Sequence, residues 1–293
     1  MRISTTLGNI DVRMFDTATP QSVQNFLNYV NDGDLVGSFF HRAPLQPRVD
    51  AEGEFVRDNE GQIIFDTFVV QGGGFTYTDE GGLGNVPTDP PVVNEPGLTN
   101  LPGTIAYAKV GGNPNSATSG FFFNTIDNSE NLDAQNGGFT VFARIVRGES
   151  VLNAIAALDK FDVDGQSGST FDNVPLLNNG GSLENNLIYV TGATVLGFSP
   201  GDYTLNGTVD SADLARWQSH YGASLRIEDH ANGSPITLMA ADGNGDGVVD
   251  AADYTIWRDA YGSASAAVAA PEPSAAMMLA AASVAAAARR RSR

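Results

Sequence analysis

Residues 68–75 read Phe-Val-Val-Gln-Gly-Gly-Gly-Phe: an apolar run that ends in one amide side chain, with three glycines directly behind it. The run has the length and composition of a strand. Glycines in that place let backbone pass close to whatever sits beside Gln71. A second run, Phe39-Phe40-His41-Arg42, ends in a permanent cation with a planar fork of donors. Gln71 supplies both an amide donor and a carbonyl acceptor. An apolar wall carrying one Arg and one Gln suits a neutral ligand with a carbonyl to hold and a ring to bury. The same residues also fit two core strands in which Arg42 pairs with a surface carboxylate and His41 is packed.

The neighbouring sequence is spaced for short elements. Residues 2–14 predict a hairpin, with no signal peptide before it. Thr19-Pro20 predicts a helix start, with Val23, Phe26, Leu27 and Val30 on one face and Gly33 at the end. Residues 45–66 look inserted between the two polar-ended runs, and Asp58-Asn59-Glu60-Gly61 predicts a turn in an extra hairpin. Residues 79–103, rich in Gly and Pro, predict a long surface loop. Val151, Leu152, Ile155 and Leu158 predict a second helix; residues 187–190 and 193–196 predict two closing strands. Many short strands with two helices indicate an all-β barrel capped at its ends.

The motifs F-H-R (40–42), F-V-V-Q-G-G (68–73), G-T-I-A-Y-A (103–108), N-S-A-T-S-G-F-F-F (115–123) and F-T-V-F-A-R-I-V (139–146) follow one another in an order that resembles the cyclophilin-type peptidyl-prolyl isomerases. The resemblance runs from Ile3 to Leu196. It implies a mainly β fold, a closed eight-stranded antiparallel barrel with two capping helices, in a domain over residues 1–197. In the family pattern Arg42 is the catalytic cation, Gln71 fixes the substrate backbone, and Phe68 stands with them. Val69, Phe122 and Leu132 match lining positions of the proline pocket, with Ala108 a small residue beside it. Phe139 stands where a histidine is often found, Asn131 where an aromatic residue is common, and Gly120 where a glutamine is usual. Val69 replaces a longer methionine.

Isomerising an X–Pro bond needs no nucleophile and no cofactor. The barrier comes from amide resonance, and a donor near the prolyl nitrogen lowers it by favouring the twisted, pyramidal form. The intact Arg42, Gln71 and phenylalanine set points to a peptidyl-prolyl cis-trans isomerase. The altered rim leaves a second reading, a weak or inactive binder of proline-containing peptides that serves as a scaffold.

Past Phe198 the chain changes character. Residues 201–213 are repeated at 241–253, and Trp217, Tyr221 and Gly222 recur as Trp257, Tyr261 and Gly262. Oxygen-bearing residues at loop positions 1, 3, 5, 9 and 12, with glycine at 6, form a calcium-loop pattern. The first loop offers Asp202, Thr204, Asn206, Asp210 and Asp213, with Thr208 by its carbonyl; the second offers Asp242, Asn244, Asp246, Asp250 and Asp253, with Val248 by its carbonyl. Thr204 is the weaker ligand type, which ranks the first loop below the second. Position 12 is Asp, and a helix follows each loop without one before it. This resembles dockerin modules, whose paired calcium loops dock onto cohesin domains, and implies a small α-helical module over residues 198–265 with structural Ca²⁺ and a cohesin-like partner. As an independent unit, it would lose order on chelation and leave the barrel unchanged.

Residues 266–293 form the third part: Pro271-Glu272-Pro273, an uncharged run over 274–288, and a basic end, Arg289-Arg290-Arg291-Ser292-Arg293. That order resembles the PEP-CTERM sorting signal of exported bacterial proteins. It implies an exported or cell-surface protein whose tail meets a sorting protease or membrane machinery. The run falls short of the ~20 residues of a comfortable membrane span. With 34 acidic against 16 basic side chains, nucleic acid is excluded as a natural partner. The absence of cysteine excludes disulfides, thiolate metal sites and cysteine nucleophiles.

Overall fold

The computed structural model describes residues 1–50, 52–230 and 239–269; the sorting-tail motif at 271–293 lies outside them. The chain opens on a hairpin, β1 (Arg2–Thr5) and β2 (Gly8–Met14), followed by α1 (Pro20–Asp32). Pro20 occupies the first turn of α1, and Gly33 ends it in the left-handed region, donating its N–H to Tyr29 O. Thr19 flanks the helix as expected, but its hydroxyl donates back to Phe15 O and makes no cap bond. The inserted arm is built on β3 (Leu45–Pro47) and β4 (Phe65–Thr67). Its tip turns at Asp58, whose Oδ1 accepts the N–H groups of Glu60 and Gln62. Then come β5 (Val69–Gly72), the hairpin β6 (Phe75–Thr78) and β7 (Gly82–Asn85), β8 (Thr104–Tyr107), β9 (Phe121–Asn124) and the short α2 (Ser129–Leu132). They are followed by β10 (Val141–Arg147), α3 (Glu149–Ala157), the pair β11 (Lys160–Phe161) and β12 (Val174–Pro175), and β13 (Val190–Thr194). Three helices complete the described chain: α4 (Ser211–His220), α5 (Ile227–His230) and α6 (Ala251–Ala269). Among the described residues no helix is long and apolar enough to cross a membrane.

The main sheet is antiparallel, with seven strands in the order β13-β1-β2-β10-β8-β9-β5. Register shifts in β1 and β10 bend it into a half-barrel. This corrects the expected closed barrel of eight strands. The strand-like run at residues 39–42 forms only isolated bridges. Its N–H groups fan out: Phe39 donates to Phe75 O, Phe40 to Ile188 O and His41 to Gln71 O. Phe39 and His41 bond to one side and Phe40 to the other, but the register slips between the Ser38–Thr76 and Arg42–Gln71 bridges, so the edge between β13 and β5 is an irregular seam. The two predicted closing strands reduce to β13, with Leu187 and Tyr189 in single bridges.

Period-two alternation sorts the side chains of β5, β8 and β9. Val70, Ile105, Tyr107, Phe121 and Phe123 enter the core beneath α1, where Phe26 meets Phe121 edge-on with ring centroids 5.4 Å apart. Val69, Ala106 and Phe122 face the other way, into a second apolar cluster. That cluster also contains Leu98, Leu101, Tyr203, Leu225, Val249 and Trp257. It joins the sheet to the C-terminal repeat.

The repeat has pseudo-twofold character. Trp217 Nε1 donates to Asp250 O and Trp257 Nε1 to Asp210 O, both at 2.8 Å. Each tryptophan thereby pins the other copy's loop. The pair of loops also packs firmly on the sheet. Arg13 donates to Asp242 O at 2.9 Å, Thr17 and Ala18 donate to Gly245 O, Thr99 donates to Leu225 O at 2.7 Å, and Ile227 donates to Gly97 O. At Gly245 (φ +67) a Cβ would stand 3.0 Å from the Asp16 nitrogen. This packing explains a second difference from expectation. The 79–103 stretch is not a surface loop throughout, because Thr99, Asn100 and Leu101 are wholly buried beneath the repeat.

Candidate functional site

Arg42 and Gln71 lie opposite each other in one bridge, with Gln71 N donating to Arg42 O at 2.8 Å. Directly opposed residues share a face of an antiparallel sheet. The pairing continues from Gln71 to Phe122, from Phe122 to Ala106 and from Ala106 to Val141. One row of the sheet therefore carries a cation, an amide and then an apolar floor. Val69 and Leu132 pack into the same cluster, with Phe68, Ala108 and Phe139 at its partly exposed margin. Phe122 and Phe139 meet edge-on, with centroids 5.8 Å apart. Six of the eight predicted groove residues thus share this cluster, and Arg42 and Gln71 continue the row beyond Phe122. The side chains of Arg42 and Gln71 make no hydrogen bond or ion pair with any described residue. The alternative pairing of Arg42 with a surface carboxylate is therefore absent here.

The glycines behave as their position suggests. A Cβ at Gly73 (φ +76) would stand 2.6 Å from Ser119 O, so the chain leaves β5 pressed against the strand that leads to Phe122. His41 is wholly packed, with Phe75 edge-on at 4.8 Å between centroids. Burial, reinforced by the Arg42 charge, pushes its pKa down from 6.5 to about 4. The fold therefore prefers neutral His41, and the stability this contributes is complete above pH 6.5 and lost as pH falls from there through about 4. His41→Phe is expected to remove that part of the acid sensitivity. The stability difference between pH 7 and pH 4.5, measured by denaturant melts, should shrink by on the order of 2–3 kcal/mol.

Three supporting residues were not legible beforehand. Lys109 donates to Asn94 Oδ1 (3.1 Å), Asn136 O (3.0 Å) and Gly138 O (2.6 Å), and sits 4.7 Å from the centroid of Phe139. It ties down the loop before Phe139, and burial lowers its pKa to about 8. Asn100 donates to Phe139 O and to Asp133. Asn128 donates to Phe68 O at 3.0 Å. The only advance sign of Lys109 was its place directly after Ala108; the two asparagines lie in stretches that read as loop.

In the second predicted calcium loop Asp242 accepts from Gly245 N (2.8 Å) and Gly247 N (2.9 Å), and Asp253 from Gly243 N (2.7 Å) and Asp250 N (2.8 Å). Asn244 accepts from Asp246 N and Asp246 from Val248 N, while Asp250 caps α6 through Ala252 N. The first loop repeats this. Asp202 accepts from Asn206 N and Gly207 N, Asp213 from Thr204 N and Asp210 N, and Asn206 from Thr208 N. The carboxylates at positions 1 and 12 are wholly buried in both loops. Burial, and then the neighbouring Asp253, pushes Asp242 up to about 7. Two buried carboxylates in each loop, with no side-chain cation among the described residues in ion-pair contact with either, fit a divalent oxygen-seeking ion.

The site is a half-barrel sheet with one row that sets an Arg and a Gln beside an apolar floor. Residues 1–178 match the family model described as cyclophilin type peptidyl-prolyl cis-trans isomerase/CLD, and residues 200–258 match the dockerin type I domain. Peptidyl-prolyl cis-trans isomerase A of Dickeya dadantii is 34% identical over 176 residues, 59% of this chain and 76% of that protein. Peptidyl-prolyl cis-trans isomerase of Acinetobacter baylyi is 33% identical over 159 residues, 53% of this chain and 71% of that protein. A crystal structure of a Cryptosporidium parvum cyclophilin type isomerase in the presence of the dipeptide Ala-Pro aligns with 64% of this chain and 94% of its own, at 17% identity and a TM-score of 0.41. The chain belongs to the cyclophilin-type peptidyl-prolyl cis-trans isomerases, and a dockerin type I domain follows its isomerase region.

Proposed function

We propose that Arg42 is the catalytic cation of this isomerase and that Gln71 holds the peptide backbone beside it. The substrate proline rests on Phe68, Val69, Phe122 and Leu132, between Ala108 and Phe139. The observation that carries this reading is the row Arg42–Gln71–Phe122–Ala106, whose two polar side chains have no partner of their own among the described residues. Amide rotation is slow because resonance stiffens the C–N bond. The guanidinium donates toward the prolyl nitrogen as it becomes pyramidal, and so favours the twisted amide over either planar isomer. Gln71 holds the backbone before the proline, so that the ring turns while the chain stays still. Isomerisation of proline peptides by wild type and Arg42 variants tests the assignment.

The dockerin domain would hold calcium through Asp202, Thr204, Asn206, Thr208, Asp210 and Asp213, and through Asp242, Asn244, Asp246, Val248, Asp250 and Asp253. The ion would supply the positive charge that the buried carboxylates lack. Loaded, the domain tethers the isomerase to a cohesin-like partner at the cell surface or outside it, where the enzyme acts on exported proteins. Cell fractionation of the native host tests this. The protein is expected in the surface or extracellular fraction, and confinement to the cytosol overturns it.

A further inference from the structure

We infer that the cleft between the inserted arm and α2 is a second substrate subsite, one that takes a lysine or arginine side chain of the polypeptide near its proline. This rests on the isomerase reading of the Arg42 face, because the chain entering the cleft is the one whose proline lies there. The cleft has a volume of about 740 Å³ and is bounded by Val49 of the arm, Phe68, the Asn128–Glu130 edge and Ile227 of α5. That size is in the range of small-molecule and side-chain sites.

Asn128 is the first pointer to its occupant. The residue is 2% exposed and lines the cleft. Its Nδ2 donates to Phe68 O (3.0 Å) and Asn124 Oδ1 (2.7 Å). Both partners are acceptors, so the amide has one orientation, and its Oδ1 is left without a donor. A buried acceptor with no partner calls for a ligand that brings an N–H.

Charge narrows the choice. Asp127, Glu130 and Asp133 stand around the cleft, and none is ion-paired with a described residue. Asp127 accepts from Ser129, and Asp133 from Thr99 and Asn100. The Glu130 side chain makes no hydrogen bond with any described residue, which leaves it open to a cation. Val49, 53% exposed, together with Phe68 and Ile227, offers apolar wall. A long apolar stem ending in N–H donors satisfies both surfaces, which describes lysine and arginine.

The cleft borders the proposed proline pocket at Phe68, which lines the one and packs with Val69, Phe122 and Leu132 in the other. Asn131 also lines the cleft, exposed and small where an aromatic side chain would take up more of its space. Ile227 comes from the dockerin domain, so both parts of the chain build the cleft.

The test uses the full chain and proline peptides in which lysine, norleucine or glutamate is walked from three residues before the proline to three after it. At one position or more, lysine is expected to raise kcat/KM over glutamate by about tenfold or more, the size of one charge-assisted hydrogen bond. Norleucine should fall between them. Glu130→Gln should reduce the lysine preference to about twofold and leave turnover of uncharged peptides unchanged. The net charge of −18 attracts cations everywhere, so Glu80→Gln, at another exposed site, serves as the matched control and should keep the preference. Equal rates for lysine and glutamate peptides at every position, or equal losses in both variants, overturn the subsite. Absence of turnover with every peptide overturns the isomerase reading instead. In that case fluorescence anisotropy of the same labelled peptides decides: a lysine preference that Glu130→Gln abolishes supports the subsite, and its absence overturns it.

Discussion

Arg42→Ala is expected to lower kcat/KM for proline peptides by roughly 10²- to 10³-fold, the cost of removing one donor aimed at developing charge in a transition state. The Arg42 side chain donates to none of the described residues. Its removal therefore strands no buried partner, and the melting temperature should stay within a few degrees of wild type. Arg42→Lys keeps the charge and loses the planar fork, so most of the activity should go with it. Phe139→His alters the margin of the pocket and leaves both polar groups in place, so its effect should be milder. Rates and melting curves for the three variants check this together. Equal rates for wild type and Arg42→Ala would sink the catalytic assignment. Equal stability with unequal rates separates chemistry from folding.

The second large effect concerns calcium. Removing it from the full chain is expected to lower the melting temperature of the whole molecule by about 5–10 °C, taking free ion near 100 times its dissociation constant. The sequence alone suggests a module that melts by itself. The packing argues otherwise, because carbonyls of the second loop accept hydrogen bonds from Arg13, Thr17 and Ala18 and the loop covers Leu98. Loss of order there uncovers the sheet's outer face. Calorimetry with and without chelator, alongside Asp242→Ala, gives the readout. Identical melting with and without chelator removes the metal reading, and a shift confined to a separate transition removes the coupling.

Much of the groove could be read in advance because its signals are local. The apolar runs ending at Arg42 and Gln71 stand out in consecutive residues, and the glycines after Gln71 mark the close crossing at Ser119. The twin loops were equally plain, since ligand spacing is a property of consecutive residues. The seam at 39–42 was not legible, because its hydrogen bonds go to Phe75, Ile188 and Gln71, choices set by the curl of the whole sheet. Burial of residues 98–101 was hidden for the same reason. A stretch rich in glycine and proline looks like surface until something 125 residues further along the chain is laid across it, as the Thr99–Leu225 contact requires. Lys109 reads as an ordinary charged residue until the loop it ties down is in place.

The contact of Gly245 with Asp16 bears on how a duplicated sequence ages. The fourth position of both loops adopts a left-handed backbone, yet the first copy places Leu205 there at φ +58 and the second places Gly245. In the first copy nothing but local strain opposes a side chain. In the second, the backbone of Asp16 occupies the space a side chain would need. The two copies have therefore ceased to be interchangeable. A descendant with the loops swapped would drive leucine into the N-terminal hairpin's exit, so drift at Gly245 answers to the isomerase region.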